Sequence, residues 1–75
     1  MPMINVKLIE GVFDDHQKRQ IVSRLTDAMV AVEGENMRAV TWVIVEEVPQ
    51  GQWAIGGKPL FASDVQALAA GRKVA

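Results

Sequence analysis

Few residues of this chain can act as catalysts, and the most unusual candidate is the proline that follows the initiator methionine. The 75-residue sequence has one histidine, no cysteine and no tyrosine, which excludes thiolate chemistry, disulfides and histidine-rich metal clusters. Removal of Met1 would expose Pro2 as a secondary amine. An α-amino group titrates near about pH 8, and an apolar pocket or nearby cations would lower the pKa of such an amine toward neutrality. A neutral amine is a general base or a nucleophile.

This interpretation of Pro2 depends on the loss of Met1, because an acylated proline nitrogen is an amide without basicity. Initiator methionine is normally removed when the next residue is small. Proline also stands at a second position by chance about one time in twenty. Pro2 alone is therefore a weak indication, and the elements that would position it carry the rest of the argument.

Strand and helix periodicities follow Pro2 directly. Residues 3–9 alternate between two faces, which predicts a half-buried strand. Asp14, with Gln17 three residues later, matches a capping box and predicts a helix start. Apolar residues then recur at helical spacing over about eighteen residues, and Gly34 supplies a residue suited to end the helix.

The second half of the chain predicts another strand and a short C-terminal region. Residues 39–48 form an apolar run typical of a buried strand, so the order strand, helix, strand predicts a β-α-β unit with two parallel strands. Residues 52–55 predict a hairpin or an arm that covers a sheet edge. Ser63 is the predicted cap of a last short helix that runs through Leu68 and ends near Gly71. Residues 72–75 are expected to fray.

Length and composition predict one α/β domain over residues 1–75 that assembles with copies of itself. A chain this short buries only roughly 60% of its unfolded surface. Because 49% of the residues are apolar and cysteine is absent, oligomerisation is the available way to supplement the small core.

The net charge of −1 and interleaved charges exclude a nucleic-acid partner and an anionic membrane surface. Without a signal peptide or a spanning segment, a soluble cytoplasmic protein is expected.

The order of these features resembles the 4-oxalocrotonate tautomerase family of the tautomerase superfamily, over roughly residues 2–58. The resemblance rests on Pro2, the pair Glu10-Gly11 after the first strand, the strand end at residues 44–47, and Gly51-x-Trp53-x-Ile55-Gly56-Gly57. It implies a homohexamer in which the N-terminal proline moves a proton between an enol or dienol and its conjugated ketone. It also implies that no cofactor is used and that the substrate is a small enol or keto acid.

Two departures from the family pattern concern the substrate. Well-known members carry an arginine after the Glu-Gly pair and another in the second strand, where this chain has Val12 and Thr41. Those arginines bind a dicarboxylate, so that substrate is not carried over. The family's aromatic wall corresponds to Trp53, which could equally fill a subunit interface. Trp42 adds a second indole, in a strand whose apolar faces favour a core position.

The substrate-binding candidates implied by the resemblance include possible replacements for the arginines. Arg38 precedes the second strand and Lys58 follows Gly56-Gly57, so either could approach a neighbouring copy's Pro2, while Lys7 is nearer in sequence. Each could instead be a surface charge that contributes about 0–1 kcal/mol. The predicted substrate-binding set is Trp53, Thr41, Arg38, Lys58 and Ile9, with Pro2 catalytic and no metal ligand.

The expected activity is tautomerisation of an enol, dienol or α-keto acid with Pro2 as the base. One alternative is hydration or dehalogenation of an unsaturated acid, which usually requires cations and a carboxylate around the pocket. A second alternative is a catalytically silent subunit of a mixed oligomer, which the loss of both arginines leaves open. A turnover assay on the pure homo-oligomer separates these classes, because a silent subunit stays inactive until its partner is added.

Overall fold

The first strand and the first helix form where periodicity and capping predict them. The computed structural model describes residues 1–71, so the predicted fraying of residues 72–75 lies outside the described residues. Strand β1 spans Met3–Ile9 and helix α1 spans Asp15–Glu33. Asp14 Oδ1 accepts the Gln17 N–H at 2.7 Å and Gln17 Oε1 accepts the Asp14 N–H at 3.0 Å, which confirms the capping box.

The end of α1 leads into a second strand that is shorter than predicted. Gly34 has a φ of 105°, and its N–H donates to the Val30 carbonyl at 2.8 Å. A 3₁₀ segment, Glu35–Val40, follows, and strand β2 spans Trp42–Val48. The prediction of a strand from residue 39 was therefore wrong at its start. Thr41 explains the difference, because its N–H donates to the Arg38 carbonyl at 3.2 Å and closes the 3₁₀ segment.

Strands β1 and β2 pair in parallel, as the β-α-β prediction requires. Met3 lies opposite Trp42 and Ile9 lies opposite Val48.

Helix α1 lies on the face of the sheet that carries Val45, and the Lys18 ammonium lies 2.7 Å from Glu47 Oε1. That hydrogen bond raises the pKa of Lys18.

A hairpin follows the sheet, in agreement with one of the two predicted roles of this region. Strands β3, Trp53–Ile55, and β4, Lys58–Leu60, pair antiparallel. The two residues between them, Gly56 and Gly57, have φ values of 59° and 81°. Two successive positive φ angles are typical of the tight turn that joins hairpin strands, and glycine adopts them without steric cost.

Helix α2 spans Ala62–Ala69, and its start corrects the predicted cap at Ser63. Ser63 lies inside the first turn, and Phe61 occupies the cap position. The Phe61 N–H donates to Asp64 Oδ2 at 2.9 Å. The polar side chain at the start of the helix is therefore that of Asp64 and not that of Ser63.

The described residues enclose little core. Only Ile9, Val30 and Ala62 are buried among them, and no large side chain is completely buried. The radius of gyration is 15.1 Å, whereas about 11 Å is expected for a compact domain of this length. On the face of the sheet opposite α1, Met3 is 60% exposed and Trp42 is 52% exposed.

Within residues 1–71 no helix has the length and apolar character needed to cross a membrane.

Candidate functional site

Pro2 lies at the amino end of the sheet, immediately before β1. It is half-buried, and its carbonyl accepts the Trp42 N–H at 3.0 Å. Because Met3 lies opposite Trp42 in the parallel register, the next pair toward the amino end is Pro2 with Thr41. Met1 is 77% exposed, so no packing holds it over Pro2. The structure therefore brings together Pro2 and Thr41, two residues that the sequence placed in the site.

Thr41 connects this end of the sheet to a carboxylate that sequence reasoning missed. Its Oγ1 lies 2.7 Å from Glu33 Oε2 and 2.8 Å from the Met37 carbonyl oxygen, so its one proton serves one acceptor at a time. Glu33 Oε1 is buried and has no hydrogen-bond partner among the described residues. Glu33 ends a helix, where a glutamate usually lies in solvent, so no sequence signal distinguished it.

Arg38 is engaged with two carboxylates. Its Nη1 lies 2.8 Å from Asp27 Oδ1 and its Nε lies 2.7 Å from Glu35 Oε1. The hydrogen bonds that Arg38 donates to Glu35 and, second, to Asp27 raise the pKa of Arg38, and the bond to Glu35 lowers the pKa of that carboxyl. Arg38 is 44% exposed at its side chain, so substrate could reach it only by competing with both partners.

A second region lies at the carboxyl end of β1, where Trp53 and Ile9 meet. They share a cavity of about 260 Å³ with residues of the loop after β1, of β4 and of α2. Its lining consists of Lys7, Leu8, Ile9, Val12, Phe13, Trp53, Leu60 and Val65. Trp53 is half-buried and Ile9 is 8% exposed. The cavity is thus an apolar pocket with a single charged residue.

That charged residue, Lys7, is partly neutralised by a neighbour. Its ammonium lies 3.7 Å from Glu46 Oε2, and Glu46 also accepts a hydrogen bond from the Asn5 amide. The Asn5 hydrogen bond, followed by the charge of Lys7, lowers the pKa of Glu46. Lys58, the other candidate cation, is exposed opposite Ile55 in the hairpin and does not line the cavity. The pocket is therefore weakly cationic.

The two regions do not meet within one chain. Strand β1 has seven residues and rises about 3.3 Å per residue, which separates its ends by about 20 Å. Pro2 and Thr41 lie at one end, and Trp53 lies at the other. Trp42, which its sequence context assigned to the core, is half exposed beside the Pro2 end. No sequence signal revealed this, because exposure depends on what covers the outer face.

The other concave or acidic regions of the described residues contain fewer groups that could take part in catalysis or bind a metal. A shallow groove of about 380 Å³ runs along α1 beside Lys18, Val22 and Val45, and it shares no lining residue with the Trp53 cavity. Among residues 1–71 no cluster of three or more His, Asp or Glu side chains could hold a metal ion.

Known proteins with similar sequences agree on one family. A family model described as "Tautomerase enzyme" matches residues 2–62. A "Probable tautomerase" of Staphylococcus aureus is 39% identical over 57 residues, which are 76% of this chain and 90% of the relative. A protein of the same description from Staphylococcus epidermidis is 40% identical over the same lengths.

Solved structures give the same result. A 4-oxalocrotonate tautomerase homologue superimposes with a TM-score of 0.69 at 38% identity, covering 85% of this chain and 95% of the homologue. DmpI from Helicobacter pylori superimposes with a TM-score of 0.64 at 32% identity, covering 92% and 97%. The β-α-β unit and the hairpin are therefore those of a known fold.

Proposed function

This chain belongs to the tautomerase enzyme family, and we propose that it catalyses keto–enol tautomerisation of a small acid with Pro2 as the base. In the neutral form the Pro2 nitrogen takes a proton from the carbon beside the substrate carbonyl. The electron pair of that C–H bond forms the C=C bond of the enol, and the π pair of the carbonyl moves to its oxygen. That oxygen takes a proton from water, and protonated Pro2 returns its proton to the resulting hydroxide. The reverse reaction returns the proton from the Pro2 nitrogen to carbon, so no cofactor is needed.

The observation that carries this proposal is the position of Pro2. It is the first residue of the family match and it lies, half-buried, at an open end of the sheet beside Thr41. An amine there would be only partly solvated, which favours its neutral form. Release of Met1 would leave that nitrogen facing the space that the exposed Met1 occupies.

We propose further that the active site forms between copies of the chain. Trp53 and Pro2 are about 20 Å apart along β1, so one pocket that contains both requires two chains. The exposed Met3 and Trp42 on the outer face of the sheet supply apolar surface for such an association. The assembly proposed is a homohexamer. Sedimentation at micromolar concentration should show it, and a well-folded monomer would contradict it.

The proposed substrate is a monoacid, because the Trp53 cavity has little positive charge. Val12 lines that cavity where a family arginine would stand, and Thr41 donates to Glu33 or Met37. A bidentate guanidinium makes recognition of a second carboxylate strong, and neither position provides one. Whether Lys58 or Arg38 of another copy contacts the substrate stays a prediction.

Intact mass tests the chemistry most cheaply. Protein isolated after native expression should lack Met1 quantitatively, because only then is Pro2 an amine. Quantitative retention of Met1 would remove Pro2 from the mechanism. Deuterium exchange at C3 of phenylpyruvate, followed by NMR, then measures the proposed proton transfer directly.

A second candidate function, hydration of an unsaturated acid, is favoured by Glu33. A carboxylate near Pro2 could orient a water molecule, and Glu33 Oε1, next to Thr41, has no hydrogen-bond partner within residues 1–71. If this activity exists, Glu33→Gln should abolish incorporation of ¹⁸O from labelled water into the product and leave C3 exchange of phenylpyruvate intact. Equal loss of both activities would argue against a separate hydration role.

A further inference from the structure

Helix α2 lies almost entirely beyond the part of the chain that the family model matches. The match ends at residue 62, and α2 spans Ala62–Ala69. The helix nevertheless contributes to the Trp53 cavity through Val65. An element beyond residues 2–62, the part that the family model matches, therefore forms part of the pocket that the proposed function uses.

Several contacts fix α2 to the loop after β1 and to the turn after β2. The Ala62 N–H donates to Gln50 Oε1 at 2.8 Å, and Gln66 Nε2 donates to the Gly11 carbonyl at 3.3 Å. Ala62 is 8% exposed, and a Cβ at Gly11 would lie 3.4 Å from the Ala62 Cβ and 3.1 Å from the Gln50 amide nitrogen. The first turns of α2 are thus held against the Glu10-Gly11 corner.

These attachments determine which side of α2 faces the cavity. Ala62, Val65 and Gln66 follow the i, i+3, i+4 spacing of one helix face, and all three contact the body of the domain. Ser63, two residues before Val65, lies on the opposite side of the helix and is exposed. Val65 is therefore the residue of α2 that limits the cavity.

We propose that α2 is a specificity element, and that Val65 sets the size of the apolar group that the substrate carries beside its keto acid. This inference rests on the proposed tautomerase function and deepens it. The cavity of about 260 Å³ exceeds the roughly 150 Å³ that holds a benzene molecule. With Trp53, Leu60 and Val65 as walls, it accepts one aromatic ring, and a bulkier side chain at position 65 fills the space for that ring.

The substrate class that follows is an aryl-substituted α-keto monoacid and its enol. The ring lies against Trp53 and Val65, and the reacting carbon lies toward the Pro2 of a second copy. Pyruvate carries no group that enters the cavity, so changes at position 65 leave its turnover nearly unaffected. The ratio of kcat/KM for phenylpyruvate to that for pyruvate is therefore the quantity that α2 controls.

The test measures C3 deuterium exchange of both acids with the full chain and two matched variants. Val65→Phe should lower the phenylpyruvate-to-pyruvate ratio by about tenfold or more, the scale on which an apolar pocket discriminates single groups. Ser63→Phe, which adds a ring to the exposed side of the same helix, should leave the ratio within about twofold of wild type. A Val65→Phe ratio equal to that of Ser63→Phe would overturn the proposal.

A second variant keeps the test decisive if Val65→Phe does not fold. Val65→Ala widens the cavity, so it should raise the kcat/KM ratio of 2-naphthylpyruvate to phenylpyruvate by about tenfold. An unchanged ratio would overturn the proposal. Failure of the underlying function looks different, because then wild type exchanges neither acid, or Pro2→Ala exchanges both as fast as wild type.

Discussion

The two ends of the β1–β2 sheet differ in chemistry, and neither is complete. The amino end holds Pro2 beside Thr41, with Glu33 behind the threonine and ion pairs around Arg38. The carboxyl end holds an apolar cavity walled by Trp53, and Lys7 is the one charged residue that lines it among residues 1–71. Under the proposed function, the amino end supplies the base and hydrogen-bonding groups, and the carboxyl end supplies the binding pocket.

If the proposed function holds, this difference means that a short chain divides its site between the opposite ends of one strand. A parallel pair of seven-residue strands fixes the distance between Pro2 and Trp53, and no side-chain movement closes about 20 Å. Association that joins the amino end of one copy to the carboxyl end of another unites both parts. The uncovered sheet face and the low burial indicate why such association would also stabilise the fold.

The largest effect is expected at the amino end. Pro2→Ala should lower ketonisation of phenylenolpyruvate by at least about a hundredfold, the lower range of general acid–base contributions. The measurement is the initial rate at matched protein concentration, with circular dichroism as a check on folding. An unchanged rate would mean that the amino end takes no part in the chemistry.

Thr41 tests whether the polar network at that end is structural. Thr41→Val should cost about 1–3 kcal/mol of unfolding free energy, because the half-buried Glu33 carboxylate would lose the hydrogen bond to its Oε2. Thr26→Val is the matched control, since the Thr26 hydroxyl bonds only to the Val22 carbonyl within α1. Urea titration at one fixed protomer concentration compares them, and equal losses for both variants would leave Glu33 without a role.

Charge at the carboxyl end is tested with a second carboxylate on the substrate. A dienol diacid should gain less than about tenfold in kcat/KM over a matched monoacid, because no guanidinium fork lines the cavity. Lys58→Ala and Arg38→Ala serve as the diagnostic variants. A gain of tenfold or more that either substitution abolishes would place a cation in the pocket and contradict the contrast between the two ends.

The smallest expected effect is a pH dependence of the unfolding free energy caused by Glu46 on the outer face of the sheet. The pKa of Glu46 lies below its ordinary value near 4.5, chiefly because Asn5 donates to it. Its contribution to stability is thus present above that value and is lost as pH falls through the lowered pKa. Asn5→Ala should be less stable than wild type at pH 7, and the difference should disappear in acid. Asn36→Ala is the control. If the difference in stability between Asn5→Ala and wild type did not depend on pH, Glu46 would be excluded as the cause of that difference.

The sequence predicted the elements whose determinants are local. The alternation of residues 3–9, the Asp14 capping box and Gly34 each depend on neighbours in the chain, and each matches the structure. The start of β2 was misplaced because β-branched Val40 and Thr41 suit a strand as well as a 3₁₀ end. At Ser63 the cap was misassigned because the helix begins earlier, with Phe61 at the cap and Asp64 accepting the Phe61 N–H.

The site was less predictable because it depends on tertiary contacts. Arg38 was a candidate for substrate binding, but its pairing with Asp27 joins two elements and has no sequence signal. Glu33 and the exposure of Trp42 were missed for the same reason. The clustering of Trp53 with Ile9 agrees with their grouping in the predicted site, while their roles, a hexamer and a cytoplasmic location stay predictions.

The central claim, that one site uses Pro2 of one copy and Trp53 of another, is tested most directly by mixing two inactive variants. Pro2→Ala and Trp53→Ala are unfolded together in equal amounts, refolded and assayed for phenylenolpyruvate ketonisation. Random assembly should give about a quarter of wild-type activity, because a quarter of the shared sites then combine an intact Pro2 with an intact Trp53. Activity no greater than that of the two variants refolded separately would show that the residues do not work across copies.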